Sequence, residues 1–444
     1  MSVATSAPTE CVDERYYDPW RETMPRADIE QFQQARLLEL LPRAYKGAPL
    51  IRSTWEAAGL APQDIRSLAD FKARAPFIDK DHIRAWRDAH GDPMGGMLMA
   101  SPDELVTISS TSGTTGEPTP IPHGMYTAVD QDLMRGYWHM GARPGDAIVF
   151  LMFTYRGGMF HAHGLSRIGL TAIPIAHDPA EIPRFVAASR QFRPTVLMML
   201  SSPLIIGLEQ YFEKTGIDPL DVFSSYKGVM FGGEPLSPRF AALVKSWGLE
   251  LFEFTTLGDV SGAVQCRMHD GMHASEDLAL VENLDDDGKP VPDGQIGEMV
   301  VTSLADDHAP MIRYRTEDLV RMDHSPCACG RTHARFWPIG RKGDQILVDG
   351  RSILPRDIQP LVEAEHETRS CLFQIIRPQR DLAALRLRVG YEPALLQGTA
   401  DGLAARLSER LRSALNVPVQ VELTPCDELL KLGPPHKIPR VTRQ

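Results

Sequence analysis

Apolar residues recur at three- and four-residue steps through the early part of the chain. In RADIEQFQQARLLELLPRAY they fall at Ile29, Phe32, Leu37, Leu40 and Leu41, one face of a helix. SLADFKARAPF repeats the pattern and opens on Ser67, a residue suited to an N-cap, so 14–92 reads as helical. From Ala147 the rhythm changes. Short apolar runs, AIVFLMF, TAIPIA, TVLMML and GVMFGG, alternate with helical stretches, as in a mostly parallel sheet covered by helices. Between 278 and 322, LALVENL and EMVVTSL flank DDDGKPVPDGQIG, whose two Asp-Gly steps predict an antiparallel hairpin. SCLFQIIR, DGLAARLSERLRSALN and PVQVELT then give strand, helix and strand in a small α+β unit. The expected fold is α/β. A large N-terminal domain, 1–340, holds mostly parallel, helix-covered sheets and a β-rich subdomain, and a small α+β domain occupies 341–444. No internal repeat is visible.

Composition narrows the function. With 444 residues and 43% apolar content the chain can bury a large core. Its 47 Lys+Arg stand against 58 Asp+Glu, a net charge of -11, which argues against a general nucleic-acid or anionic-membrane surface. The acidic N-terminal stretch is no secretory signal, and no apolar run approaches a membrane span. Six cysteines in so long a chain suit a reducing cytoplasm better than a disulfide framework.

One stretch carries chemistry by itself. TISSTSGTTGEPTPIP, Thr107 to Pro122, follows a strand-like run and crowds glycine with hydroxylated residues. Ser112, Gly113, Thr114, Thr115 and Gly116 leave the backbone free to turn tightly and point its N–H groups one way, a concavity for phosphate. The bland alternative is a surface linker. The stretch lacks the GK[ST] ending of nucleotide triphosphatases.

Together with GVMFGGEPLSP, FEFTTLGDVSG, MIRYRTEDLV, IGRKGDQILVDG and the tail HKIPRV, this loop resembles the AMP-forming adenylating ligases, specifically their phenylacetate-CoA ligase branch. The resemblance spans almost the whole chain. It implies an enzyme that joins a carboxylate to the α-phosphate of ATP, releases pyrophosphate, and passes the acyl-adenylate to the thiol of CoA. It also implies a mobile C-terminal lid and Mg²⁺. By that resemblance Ser112, Thr114 and Thr115 contact the β- and γ-phosphates. Gly232, Gly233, Glu234 and Pro235 run along the adenine, where the glycines permit close backbone approach. Thr255 and Thr256 floor the acyl pocket, Asp259 holds Mg²⁺, and Asp318 takes both ribose hydroxyls while Arg341 serves the ribose and phosphate region. Lys342 to Asp344 is the hinge. Lys437 stabilises the reacting oxygens during adenylation, with Lys431 the competing lysine. The chain departs from the family at Glu117, where a lysine is usual, at Thr255 in place of an aromatic, at Asp259 in place of a glutamate, and at Gly343 in the hinge.

By the same resemblance the acyl pocket falls to FTYRGGMFHAHG. Tyr155, Arg156, Met159, Phe160 and His161 line it and Phe231 closes one side. With donors in place of bulk at Thr255 and Thr256, an aromatic acid bearing hydroxyl or amino groups is the expected substrate. PCACGRTH and CRMHDGMH supply a Cys/His set for structural Zn²⁺: Cys266, His273, Cys327 and Cys329, with His269 and His333 as alternates and buried free thiols as the plain reading. Two further functions stay open. One is an adenylating enzyme that delivers to a carrier-protein thiol, an amine or nitrite. The other is a binding homologue without catalysis. The expected partners are the acid, ATP and CoA, with a homodimer left open.

Overall fold

The computed structural model describes residues 15–110, 120–124, 127–152, 161–162, 164–258, 260–305, 308–379, 381–432 and 440–443. The chain opens with helices α1 (Pro19–Glu22), α2 (Arg26–Gly47), α3 (Pro49–Ala57), α4 (Leu68–Arg74) and α5 (Lys80–His90). Ser67 caps α4 by accepting the Asp70 N–H at 3.0 Å. Strands β1 (Thr107–Ser110) and β2 (Pro120–His123) pair antiparallel, with Ser110 opposite Pro120. Helix α6 (Ala128–His139) follows, begun by a reciprocal capping box between Thr127 and Asp130.

The centre is an 11-stranded sheet. Its parallel half holds β3 (Ala147–Met152), β4 (Thr171–Ala176), β5 (Val196–Leu200), β6 (Gly228–Gly232) and β7 (Leu251–Thr256). Between these strands run α7 (Ile182–Phe192), α8 (Ser202–Thr215), α9 (Pro219–Phe223) and α10 (Pro238–Ser246). From β7 onward the direction alternates through β8 (Gly262–Gln265), β9 (Met272–Ala274), β10 (Ala279–Leu284), β11 (Ile296–Ser303), β12 (Tyr314–Asp323) and β13 (Arg335–Arg341). The parallel half and the hairpin region, which the sequence suggested as separate parts, are thus one sheet that switches at β7–β8. The apolar runs of β5 and β6 are buried on both faces, which is why they lack alternation, whereas β4 at the edge is largely open.

Beyond β13 a separate core forms around Ile346, Phe373, Leu387 and Leu407. It is built from β14 (Ile346–Val348), β15 (Arg351–Ile353), α11 (Pro355–Glu363), β16 (Phe373–Ile376), β17 (Asp381–Leu382), β18 (Leu385–Tyr391), α12 (Ala400–Leu415), β19 (Val419–Pro425) and β20 (Val441–Thr442). Among the described residues no helix is long and apolar enough to cross a membrane.

Candidate active site

Of the expected site residues, Gly232 to Pro235 and Thr255–Thr256 stand at the ends of the parallel strands β6 and β7. Ser112, Gly113, Thr114, Thr115, Gly116, Glu117, Tyr155, Arg156, Met159, Phe160, Asp259 and Lys437 lie outside the described residues. The remaining ones can be placed.

Gly232 ends β6 against β7, where a Cβ would come within 2.6 Å of the Phe254 carbonyl oxygen. Gly233 turns with φ +89°, a conformation side chains resist. The glycines therefore have a local cause that needs no ligand: strand contact at one and a left-handed turn at the other. Glu234 is spoken for within the protein. One carboxylate oxygen accepts the Ser202 N–H at 3.0 Å at the start of α8, and the other lies 3.5 Å from Arg440 Nη2. The Pro235 carbonyl accepts from Gln359 Nε2 of α11 at 3.3 Å.

Thr255 and Thr256, half-buried at the end of β7, pair with Ala263 and Gly262 of β8. The connecting turn is tight: Leu257 N–H donates to Ser261 O at 2.9 Å and Val260 N–H to Leu257 O at 3.0 Å. A residue missed in the sequence holds this turn. Asp132 of α6 accepts from the Ser261 and Ser275 hydroxyls and from the Gly262 N–H at 2.6 Å. Burial pushes its carboxyl up to about 6, while Arg135 and these donors pull the other way. Asp130, two residues earlier, accepts from Thr127 and holds His161 Nδ1 at 2.7 Å, with the His123 ring 5.8 Å from that of His161, edge-on. The readable signal was the T-x-x-D helix start at Thr127.

Asp318 and Arg341 meet across β12 and β13, where they are register partners, and Arg341 Nε donates to Asp318 Oδ1 at 3.0 Å. Beyond Arg341, Lys342 to Asp344 form one 3₁₀ turn. Lys342 is tethered to Asp286 and lies 3.5 Å from Glu298, while a Cβ on Gly343 would meet open space. Lys431, the competing lysine, is exposed. Phe231 requires a correction. Its ring is 1% exposed within the core under α7, α8 and α10, so it is a core residue with no open face to offer a substrate.

Cys266, His273, Cys327 and Cys329 come together with their ligand atoms all within 4.8 Å of one another. A tetrahedral zinc bound at its usual lengths sets S···S edges of about 3.8 Å and S···N edges of about 3.5 Å. The Cys266–Cys327 sulfurs are 3.8 Å apart, and Cys329 Sγ is 3.4 Å from His273 Nε2. The other ring nitrogen of His273 lies 3.1 Å from the His333 carbonyl, the outer contact that orients a ligating imidazole. The Arg331 N–H donates to Cys329 Sγ at 3.4 Å. The alternates are engaged elsewhere: His269 Nε2 with Glu250 at 3.0 Å, and His333 Nε2 with the Arg21 carbonyl at 2.8 Å. Three cysteines and one histidine form a closed donor set that fits zinc and leaves no protein position open for chemistry.

The AMP-binding enzyme family profile matches residues 71–305. A phenylacetate-coenzyme A ligase of Thermus thermophilus is 31% identical over 84% of this chain and 84% of its own. One of Pseudomonas putida is 28% identical over 94% of each. Among solved structures, a 2-hydroxyisobutyryl-CoA ligase in its postadenylation state superposes with a TM-score of 0.85 at 26% identity, covering 99% of this chain and 94% of that one. The chain belongs to the AMP-binding enzyme family. Within that family its place is the phenylacetate-CoA ligase branch.

Proposed function

We propose that this AMP-forming acid–CoA ligase activates an aromatic acid bearing a hydroxyl or amino group, through an acyl-adenylate, for transfer to CoA. The adenylate route and the thiol acceptor rest on the family match and on relatives solved with acyl-AMP and CoA. A carboxylate is a poor electrophile with a poor leaving group, and joining it to AMP cures both defects. The protein's task is then to position two attacks in turn and to neutralise phosphate charge.

The Asp318–Arg341 pair carries the nucleotide half of the proposal. It sets an accepting carboxylate beside a fixed cation on two neighbouring strands within the large sheet. Asp132 orients the β7–β8 turn, on which Asp259 would hold Mg²⁺. Lys437 would complete the site from the C-terminal domain, 341–444, acting as a lid. The polar-acid specificity is supported by the two threonines at the end of β7 and by the Asp130–His161 pair, polar side chains that favour a substrate able to hydrogen-bond. A relative that takes a hydroxy acid is in keeping with this. We further propose structural zinc on the Cys₃His set.

Pyrophosphate release with a panel of hydroxy- and aminobenzoates, phenylacetate and long-chain fatty acids tests the specificity. The substituted aryl acids are expected to give the highest kcat/KM, and activity confined to long aliphatic acids would end the proposal.

A further inference from the structure

The seam between the large sheet and the C-terminal unit is made of charge. The C-terminal core shares no residue with the two clusters flanking the parallel strands. Arg369, at the end of the turn after α11, crosses the seam to α8. Its guanidinium lies 3.1 Å from Glu213 Oε1 and 3.8 Å from Glu209, and its own domain steadies it through Glu392 at 3.3 Å. Glu209 also receives Arg239 of α10, whose backbone N–H donates to Glu363 of α11 at 3.4 Å. At the other end of the seam Arg440 reaches Glu234, beside the glycine turn. Arg440 also donates to the Cys371 carbonyl at 2.9 Å, so β20 and the glycine turn are tied by one side chain.

Two features mark this seam as made to part. Interfaces between units that move are polar, whereas permanent ones are sealed by apolar packing. In addition, Arg239 Nη1 and Glu363 Oε2, a donor and an acceptor on opposite sides, are buried without a hydrogen-bond partner among the described residues. A relative solved in two states gives the direction. The chain superposes on its postadenylation form with a TM-score of 0.85 and on its thioesterification form with 0.70.

We propose that Arg369 and Arg440 are positioning residues for acid activation: their ion pairs to Glu209, Glu213 and Glu234 clasp the C-terminal unit in the adenylating arrangement and must open before the thiol attacks. This rests on the reading of the chain as an adenylating ligase. Neither arginine touches the reacting atoms in this account. Each sets how often the unit is in place, and the clasp weakens with salt because Glu213 is exposed.

The test uses the full-length enzyme. Glu213→Arg opposes Arg369 with like charge at an exposed position. It should slow ATP–pyrophosphate exchange about tenfold while leaving thiolysis of a presynthesised acyl-adenylate at or above the wild-type rate. Adding Arg369→Glu should restore exchange to within about threefold of wild type. Arg440→Gln should reproduce the split. Small-angle scattering of the unliganded protein should show a larger radius of gyration for Glu213→Arg and recovery in the double variant. Both half-reactions falling together, or exchange and scattering unmoved in both single variants, would overturn the clasp. If no acid in the panel supports exchange, the functional reading fails and scattering alone decides the clasp.

Discussion

A buried ion pair shows how much single residues decide here. Arg135 donates to both oxygens of Asp277, at 2.8 and 2.7 Å, in the interior between α6 and the strand switch. Burial alone would raise the Asp277 carboxyl, but the paired guanidinium more than offsets it and holds the group below its ordinary value of 3.8. A depressed carboxylate contributes stability that is complete above the unfolded value and is lost as pH falls through the lower native one. Urea midpoints should therefore drop below about pH 4 in the wild type. Asp277→Asn, which strands a buried arginine, should cost about 3–5 kcal/mol at pH 7 and flatten that acid dependence. An unchanged midpoint would contradict the account of this pair. The Cys₃His set works at the same scale. One zinc per chain is expected on metal analysis of the purified protein, and Cys327→Ser should abolish it and lower the melting temperature. A wild-type content well below one per chain would remove the site. The sequence offered these four ligands, because cysteines next to glycine and histidine are conspicuous. It did not offer Asp132 or the Arg135–Asp277 pair, because an acid reads as solvated until the fold encloses it.

At the scale of elements, the turn between β7 and β8 is anchored on α6 through Asp132, and on the proposed reading it carries the magnesium site. Asp132→Asn keeps the shape of the side chain but replaces one accepting oxygen with a donor, so at least one of its three donors goes unanswered. Adenylation should fall about tenfold with a raised Mg²⁺ requirement, read by pyrophosphate exchange across a magnesium titration, at a stability cost of about 1–3 kcal/mol. Equal loss at every magnesium level would mean the residue serves folding alone. The strands and helices themselves were largely legible. Continuous apolar runs gave β3, β4, β5 and β6, the Asp-Gly steps gave the hairpin of β10 and β11, and helical spacing gave α2. What periodicity did not disclose was the join: no local pattern shows that the parallel strands and the hairpin share one sheet. Phe231 was misread for a related reason, since an aromatic at a strand end looks the same whether it faces a pocket or a helix layer.

For the whole molecule, a separately cored C-terminal unit beside the large sheet makes sense if one active site serves two reactions in turn. The fold and the branch were readable because motifs far apart in the chain kept their order. The domain seam was not, since Arg369 and Glu209 come from distant segments outside any recognisable pattern and Glu234 reads only as part of the adenine turn. The central claim is that the chain converts an acid to its AMP ester before any thiol is involved. Mass spectrometry of the enzyme with ATP, magnesium and the aryl-acid panel, without CoA, tests it most directly. The account predicts an acyl-adenylate with matching pyrophosphate, reduced about 10²-fold or more in Lys437→Ala. Neither product appearing with any acid of the panel would contradict it.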